Sequence, residues 1–181
     1  MKNLVNRFLT EEDRARITAT VKKVERTTSG EIVPMVVSSS GAYPLSGVIG
    51  AMALSVPIAI LGTYFAGPLV RVIMRDLWVF LGMEAVLFLA GYLLVTNVMW
   101  LRRLFISEDE MLDGVRTAAL ASFYEKGLHR TKDETGVLIY ISIFERKVWV
   151  LGDRGIHARV GEGAWKELVS LIVDGIRNGR Q

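Results

Sequence analysis

Apolar and polar positions divide this chain into two materials. Leu45 to Val70 runs 26 residues without a charge, and Leu77 to Leu101 runs 25 with only Glu84. A helix crossing a ~30 Å hydrocarbon core needs about 20 apolar residues, so each run is long enough to span a bilayer. Neither run has the polar face of a soluble core helix. Gly67-Pro68 breaks the pattern, and Arg71, Arg75 and Asp76 mark a short polar turn. The pattern predicts a transmembrane hairpin over residues 45–101, with helices near 46–66 and 77–101. The remaining 124 residues hold 37 of the 41 charged side chains and are too few to cover two such helices.

The charged part reads as alternating helix and strand. Thr10, with Asp13 three residues on, is a capping box that opens a helix with the apolar stripe Ala15, Ile17, Val21 and Val24. Glu31 to Ser39 is a strand whose nearly continuous apolar run suits cover on both faces, and Pro34 within it points to an edge or a bulge. Ser107 and Glu110 form a second capping box before a helix over 108–126, stopped by Gly127. Gly136 to Phe144 is a second buried strand, Glu145-Arg146 a tight reversal, and Lys147 to Leu151 a third strand. A last amphipathic helix carries Trp165, Leu168, Val169, Ile172 and Ile176.

A right-handed crossover makes strands one and two parallel, and the tight turn makes strand three antiparallel to strand two. The expected class is α/β: a small mixed β-sheet sandwiched by helices, interrupted by a two-helix transmembrane hairpin. The α/β domain is discontinuous, over 1–44 and 102–181. The chain stops at Arg180-Gln181 directly after a helix, as a truncated chain would.

Within the hairpin, Gly47, Ala51, Ser55 and Ala59 recur every fourth residue, a small-residue stripe open either to helix two or to a second copy. Trp78 and Trp100 lie near the ends of helix two, where interfacial anchors belong. Glu84 is an isolated intramembrane carboxylate, better suited to snorkelling or an interhelical hydrogen bond than to transport. The first 44 residues lack an apolar leader run. Two spans put both termini on one side, so the expected location is the inner (cytoplasmic) membrane with the α/β domain in the cytoplasm.

Composition removes several classes. With no cysteine there is no disulfide scaffold, thiol catalysis, zinc–cysteine site or iron–sulfur cluster. The net charge of +3, with cations and anions interleaved, does not point to nucleic acid. Arg102, Arg103, Arg146 and Lys147 fall at the end of the sheet nearest the hairpin and suit anionic headgroups.

The opposite end of the sheet gathers Glu31, the loop His129 to Glu134, and the exit Asp153 to His157, with Gly136 expected near Arg154. Three readings stand there. Glu31, Asp133, Glu134 and Asp153 offer oxygen ligands to Ca²⁺ or Mg²⁺. Asp133, Asp153 and His129 are candidates for phosphoester hydrolysis, with Arg130 or Arg154 holding phosphate. The third reading is a solvated loop pair with ordinary salt bridges. No EF-hand, P-loop, nucleophile elbow or zinc motif is present.

Leu9-Thr10-Glu11, Ser29-Gly30-Glu31-Ile32-Val33, Thr135-Gly136-Val137-Leu138-Ile139, Glu145-Arg146-Lys147-Val148 and Gly152-Asp153-Arg154-Gly155-Ile156 resemble, as a set, the TPM domain family. The resemblance covers residues 9–44 and 104–178. The family includes a thylakoid protein linked to photosystem II repair and described as an acid phosphatase, and bacterial membrane proteins. Here Thr135 stands where the family usually has an amide, and the membrane segment lies inside the domain rather than outside it. The resemblance implies the fold more firmly than catalysis. The leading expectation is a non-enzymatic, membrane-anchored domain that binds a partner protein or a second copy, in membrane-complex assembly or repair. The rival is a divalent-cation-dependent phosphatase or a Ca-binding module.

Overall fold

The computed structural model describes residues 3–65, 77–131, 133–157, 160 and 162–177. The element order is α1 (Asn3–Phe8), α2 (Glu11–Glu25), β1 (Glu31–Val37), α3 (Pro44–Phe65), α4 (Leu77–Asn97), α5 (Met99–Leu104), α6 (Glu108–Glu125), β2 (Gly136–Ser142), β3 (Lys147–Gly152), α7 (Arg154–His157) and α8 (Glu162–Arg177), with a 3₁₀ turn at Leu128–Arg130. The chain divides into two compact units: residues 1–41 with 109–181, and residues 42–108. The expected polar turn at Arg71, Arg75 and Asp76 lies outside the described residues.

In the first unit the sheet order is β1-β2-β3, with β1 parallel and β3 antiparallel to β2. β1 is therefore an edge strand. That is where Pro34 is tolerated, because its missing N–H costs no ladder bond on the solvent side. The parallel pairing continues past Ser142, since the amides of Ile143 and Phe144 donate to the carbonyls of Val37 and Ser38. The turn closes on Arg146 in a left-handed conformation, φ 54°. It pairs Ser142 with Lys147 and Val137 with Gly152, so Gly136 accepts from the Asp153 amide rather than lying beside Arg154.

The register sorts the strand residues onto two faces. One face carries Val33, Met35 and Val37, then Leu138 and Tyr140, then Trp149 and Leu151. It packs on the buried residues Val115, Ala119 and Phe123 of α6 and on Leu128. The other face carries Pro34 and Val36, then Ile139 and Ile141, then Val148 and Val150. Helices α2 and α8 accompany β1 and β3. Helices do flank the sheet, yet no residue of α2 is buried, and Ile139 and Ile141 are only half-buried. The expectation of full cover on both faces is thus met on the α6 face alone. The amphipathic α2 and α8 are too polar to close a second core over short strands.

Local signals formed as their chemistry requires. Thr10 caps α2 with a complete capping box: its hydroxyl accepts from the Asp13 amide at 3.2 Å, and the Asp13 carboxylate accepts from the Thr10 amide at 3.0 Å. Gly127, at φ 72°, ends the α6 segment in the left-handed region that glycine occupies without Cβ strain.

In the second unit α3 and α4 are each long and apolar enough to cross a membrane. Their outward surfaces are greasy: Ile49, Met52, Ile60, Val86, Leu89 and Leu94 are all exposed. Water would oppose so large an apolar surface, whereas lipid would not. The small-residue stripe of α3 is the inner face. A Cβ on Gly47 would meet Tyr92 at 2.8 Å, one on Gly50 would meet Val95 at 2.8 Å, and one on Gly91 would meet the Ala51 backbone at 3.3 Å. Of the two occupants the spacing leaves open, helix two of the same chain covers this face. Helix two ends at Asn97 rather than near 101. The Asn97 side-chain Nδ2 donates to the Leu93 carbonyl and the Thr96 hydroxyl to that of Tyr92, local bonds of the kind that compete with helix continuation. Trp100 consequently sits on the short α5.

Candidate functional site

The expected rim at the Glu31 end of the sheet is assembled by backbone bonds. The Glu31 amide donates to the Thr135 carbonyl at 3.2 Å, the Asp153 amide to Gly136 at 2.9 Å, and the Gly155 amide to Glu134 at 3.0 Å. The Thr135 side chain is buried, and its hydroxyl donates to the Ser29 carbonyl at 2.6 Å, tying the start of β2 to the approach to β1. Gly155 is needed here because a Cβ would lie 2.4 Å from the Asp133 carbonyl and 2.8 Å from that of Glu134.

The side chains of this rim do not converge in the same way. Among the described residues, no three His, Asp or Glu side chains gather closely enough to hold a metal ion. Glu31, Asp133 and Glu134 are exposed, while Asp153 is half-buried. The Asp153 carboxylate accepts from the Arg154 amide at 2.8 Å through one oxygen, and its other oxygen is buried with no hydrogen-bond partner among the described residues. His129 packs its ring 4.9 Å from Tyr124 and accepts at Nε2 from the Arg130 guanidinium at 3.2 Å, leaving Nδ1 buried without a partner among the described residues. The side chain of His157 and the whole of Lys132 lie outside the described residues.

The other end of the sheet holds a carboxylate that sequence reasoning assigned only to a turn. Glu145 is fully buried. It accepts from the Ser40 amide at 2.8 Å, the Ser39 hydroxyl at 3.1 Å, and the Ser142 hydroxyl. Tyr140 lies beside it, bonded at 3.3 Å by the Ser40 hydroxyl. Burial holds the Tyr140 phenol above its ordinary range; the Ser40 bond lowers it in part, and the Glu145 charge raises it further. The available signal was the serine run 38–40 leaving β1 opposite an acid in the β2–β3 turn.

Of the four cations expected to face headgroups, Arg102 donates to the Ser46 hydroxyl at 3.2 Å and to the Ala42 carbonyl, and Arg103 pairs with Glu108 at 3.7 Å. Both are occupied at least in part within the second unit. Arg146 and Lys147 line a groove in the first unit. Glu84 borders a recess with Val56, Ala59, Ile60 and Phe80, and one of its carboxyl oxygens has no hydrogen-bond partner among the described residues.

Fold and site together define a mixed α/β module that carries two inserted helices able to cross a membrane. The family model described as the TPM domain matches residues 96–181, from the end of helix two through β2, β3 and α8. The match begins after β1, so the likeness read over residues 9–44 lies outside it. No curated protein and no solved structure gives a significant match.

Proposed function

We propose that this chain is a membrane-anchored, TPM-like binding domain without catalytic activity, which holds a partner protein during assembly or repair of a membrane complex. The observation that carries this reading is on α6. Its inner face is the core, while Leu112, Leu120 and Tyr124 recur at multiples of four on the outer face and are 39%, 46% and 57% exposed. Such a row suits the apolar seam of a partner helix. In this reading the module is anchored at the inner (cytoplasmic) membrane with the α/β unit on the cytoplasmic side, which the two membrane-length apolar helices support. The test is co-purification from native membranes. A protein retained by the parent chain and lost from Leu120→Arg, with thermal stability unchanged, supports the reading; retention by Leu120→Arg overturns it.

A second reading, a divalent-cation-dependent phosphatase or Ca-binding module, is favoured by one atom each of Asp153 and His129 that has no hydrogen-bond partner among the described residues. Glu31, Asp133 and Glu134 would have to move together with Asp153 to offer oxygen ligands to Ca²⁺ or Mg²⁺, since no three of these side chains gather closely enough among the described residues. Turnover of a generic phosphomonoester in the presence of either ion, abolished by Asp133→Ala or Asp153→Ala, would replace the first reading with this one.

A further inference from the structure

The half-covered face of the sheet contains a groove of about 420 Å³, within the range of small-molecule sites. Its floor is Ile141 and Val148, its walls Phe8 of α1 and Val173 and Ile176 of α8. The only charged residues lining it are Arg146 and Lys147, so among the described residues it holds two cations and no carboxylate. Arg146 is exposed at the mouth of the groove and makes no ion pair among the described residues. Its backbone is left-handed, φ 54°, a conformation costing a non-glycine residue about 1 kcal/mol.

We propose that this groove takes the acyl chain of an anionic membrane lipid, with Arg146 and Lys147 holding the headgroup. Two observations select that occupant. The lining is an apolar trough with a cationic mouth, the complement of a negatively charged amphiphile. The chain also carries its own route to lipid: Val37 lies opposite Ser142 in the sheet, and residues 38–43 lead from it directly to the first membrane-length helix. The site is separate from the α6 row and stands whether or not a protein docks there.

The chain has no cysteine, so a single Val173→Cys reports on the groove. Val173 is 36% exposed, and Leu171, on the same helix outside the groove lining, is 63% exposed. The full chain is reconstituted in nanodiscs of phosphatidylcholine alone or with phosphatidylglycerol, and the rate of thiol labelling is measured. Expected is about tenfold slower labelling of Val173→Cys with the anionic lipid, unchanged labelling of Leu171→Cys, and loss of protection when Arg146→Glu and Lys147→Glu are added. Soluble glycerol phosphate, a headgroup without a tail, gives no protection. Equal protection in phosphatidylcholine, equal protection of Leu171→Cys, or protection by glycerol phosphate overturns the proposal. So does protection that follows the number of chains per disc, which assigns the groove to a second copy. Ile176→Trp, which fills the groove and leaves both cations in place, should also abolish lipid-dependent protection; a variant that keeps it overturns the proposal independently of the charge reversals.

Discussion

Glu145, at the β2–β3 turn, accepts a hydrogen bond from the backbone amide of Ser40 at 2.8 Å, across a sequence gap of 105 residues. The bond joins the reversal of one hairpin to the segment leaving β1, so two parts of the chain separated by both apolar helices are closed on one buried carboxylate. Ser39 and Ser142 complete its shell. Removing it strands one buried donor, Ser142, at about 1–3 kcal/mol, and two half-buried ones at less. Glu145→Ala is expected to destabilise the α/β unit by about 3 kcal/mol, with Glu145→Gln less severe because an amide oxygen still accepts. Thermal denaturation followed by near-UV circular dichroism checks this; a change under about 0.5 kcal/mol for the alanine variant would remove Glu145 from the core.

Tyr140 gives the alkaline limb of stability its direction. Its folded phenol ionises above the reference value of 10.0, chiefly because burial disfavours phenolate. The stabilisation is complete below the unfolded value and is lost as pH rises through the folded one. Ultraviolet titration should show a late phenol step from Tyr140, with unfolding easier above about pH 10. Tyr140→Phe should remove the late step.

Acid acts through a different group of the same unit. The Asp13 carboxyl is held below its ordinary value of 3.8, first by the Thr10 hydroxyl and then by the Thr10 amide. Its contribution to the cap is present above the unfolded value and fades as pH falls through the folded one. Thr10→Ala should cost about 1 kcal/mol in helix stability and leave the remaining acid sensitivity of α2 smaller. Helicity measured between pH 2 and 6 reads both effects.

Two glycines predict opposite signs. Gly155→Ala puts a methyl group into the Asp133 and Glu134 carbonyls, and the rim must shift to accept it. A loss of about 2 kcal/mol is expected. A Cβ on Gly163 meets nothing within 4 Å, and the residue lies in α8. Gly163→Ala should gain up to about 0.5 kcal/mol, since alanine loses less backbone entropy in a helix. Chemical denaturation of the pair checks the contrast, and equal effects would mean the rim is not closely packed.

In the hairpin, Gly47 and Gly50 let α3 approach α4, so Gly47→Leu and Gly50→Leu should separate the helices. Ala51→Cys with Gly91→Cys, otherwise free of thiols, should cross-link readily in the parent background and poorly with either leucine. Unchanged cross-linking would show that these close approaches do not hold the pair.

Periodicity made the elements legible: the uncharged run from Leu45, the capping box at Thr10, the stop at Gly127 and the apolar alternation of Val148 and Val150 each fix a local conformation through bonds made within a few residues. Pro34 marked the edge strand for the same reason. The site was less legible. Glu31, Glu134 and Asp153 do share one end of the sheet, because strand register carries backbone position. Register does not carry side-chain convergence, and their carboxylates stay apart. Glu145 read as a turn residue because nothing local distinguishes an acid facing water from one facing three donors across the sheet.

Taken alone, the order of residues determined two materials, the mixed α/β order, and two stretches able to cross lipid, since each depends on composition and short-range spacing. Tertiary structure decided that helix two covers the small-residue stripe, that one sheet face is a core while the other keeps a groove, and that Glu145 lies inside. Those outcomes depend on contacts between residues far apart in the chain, where shape, burial and partner placement set the free energy and no local pattern records them.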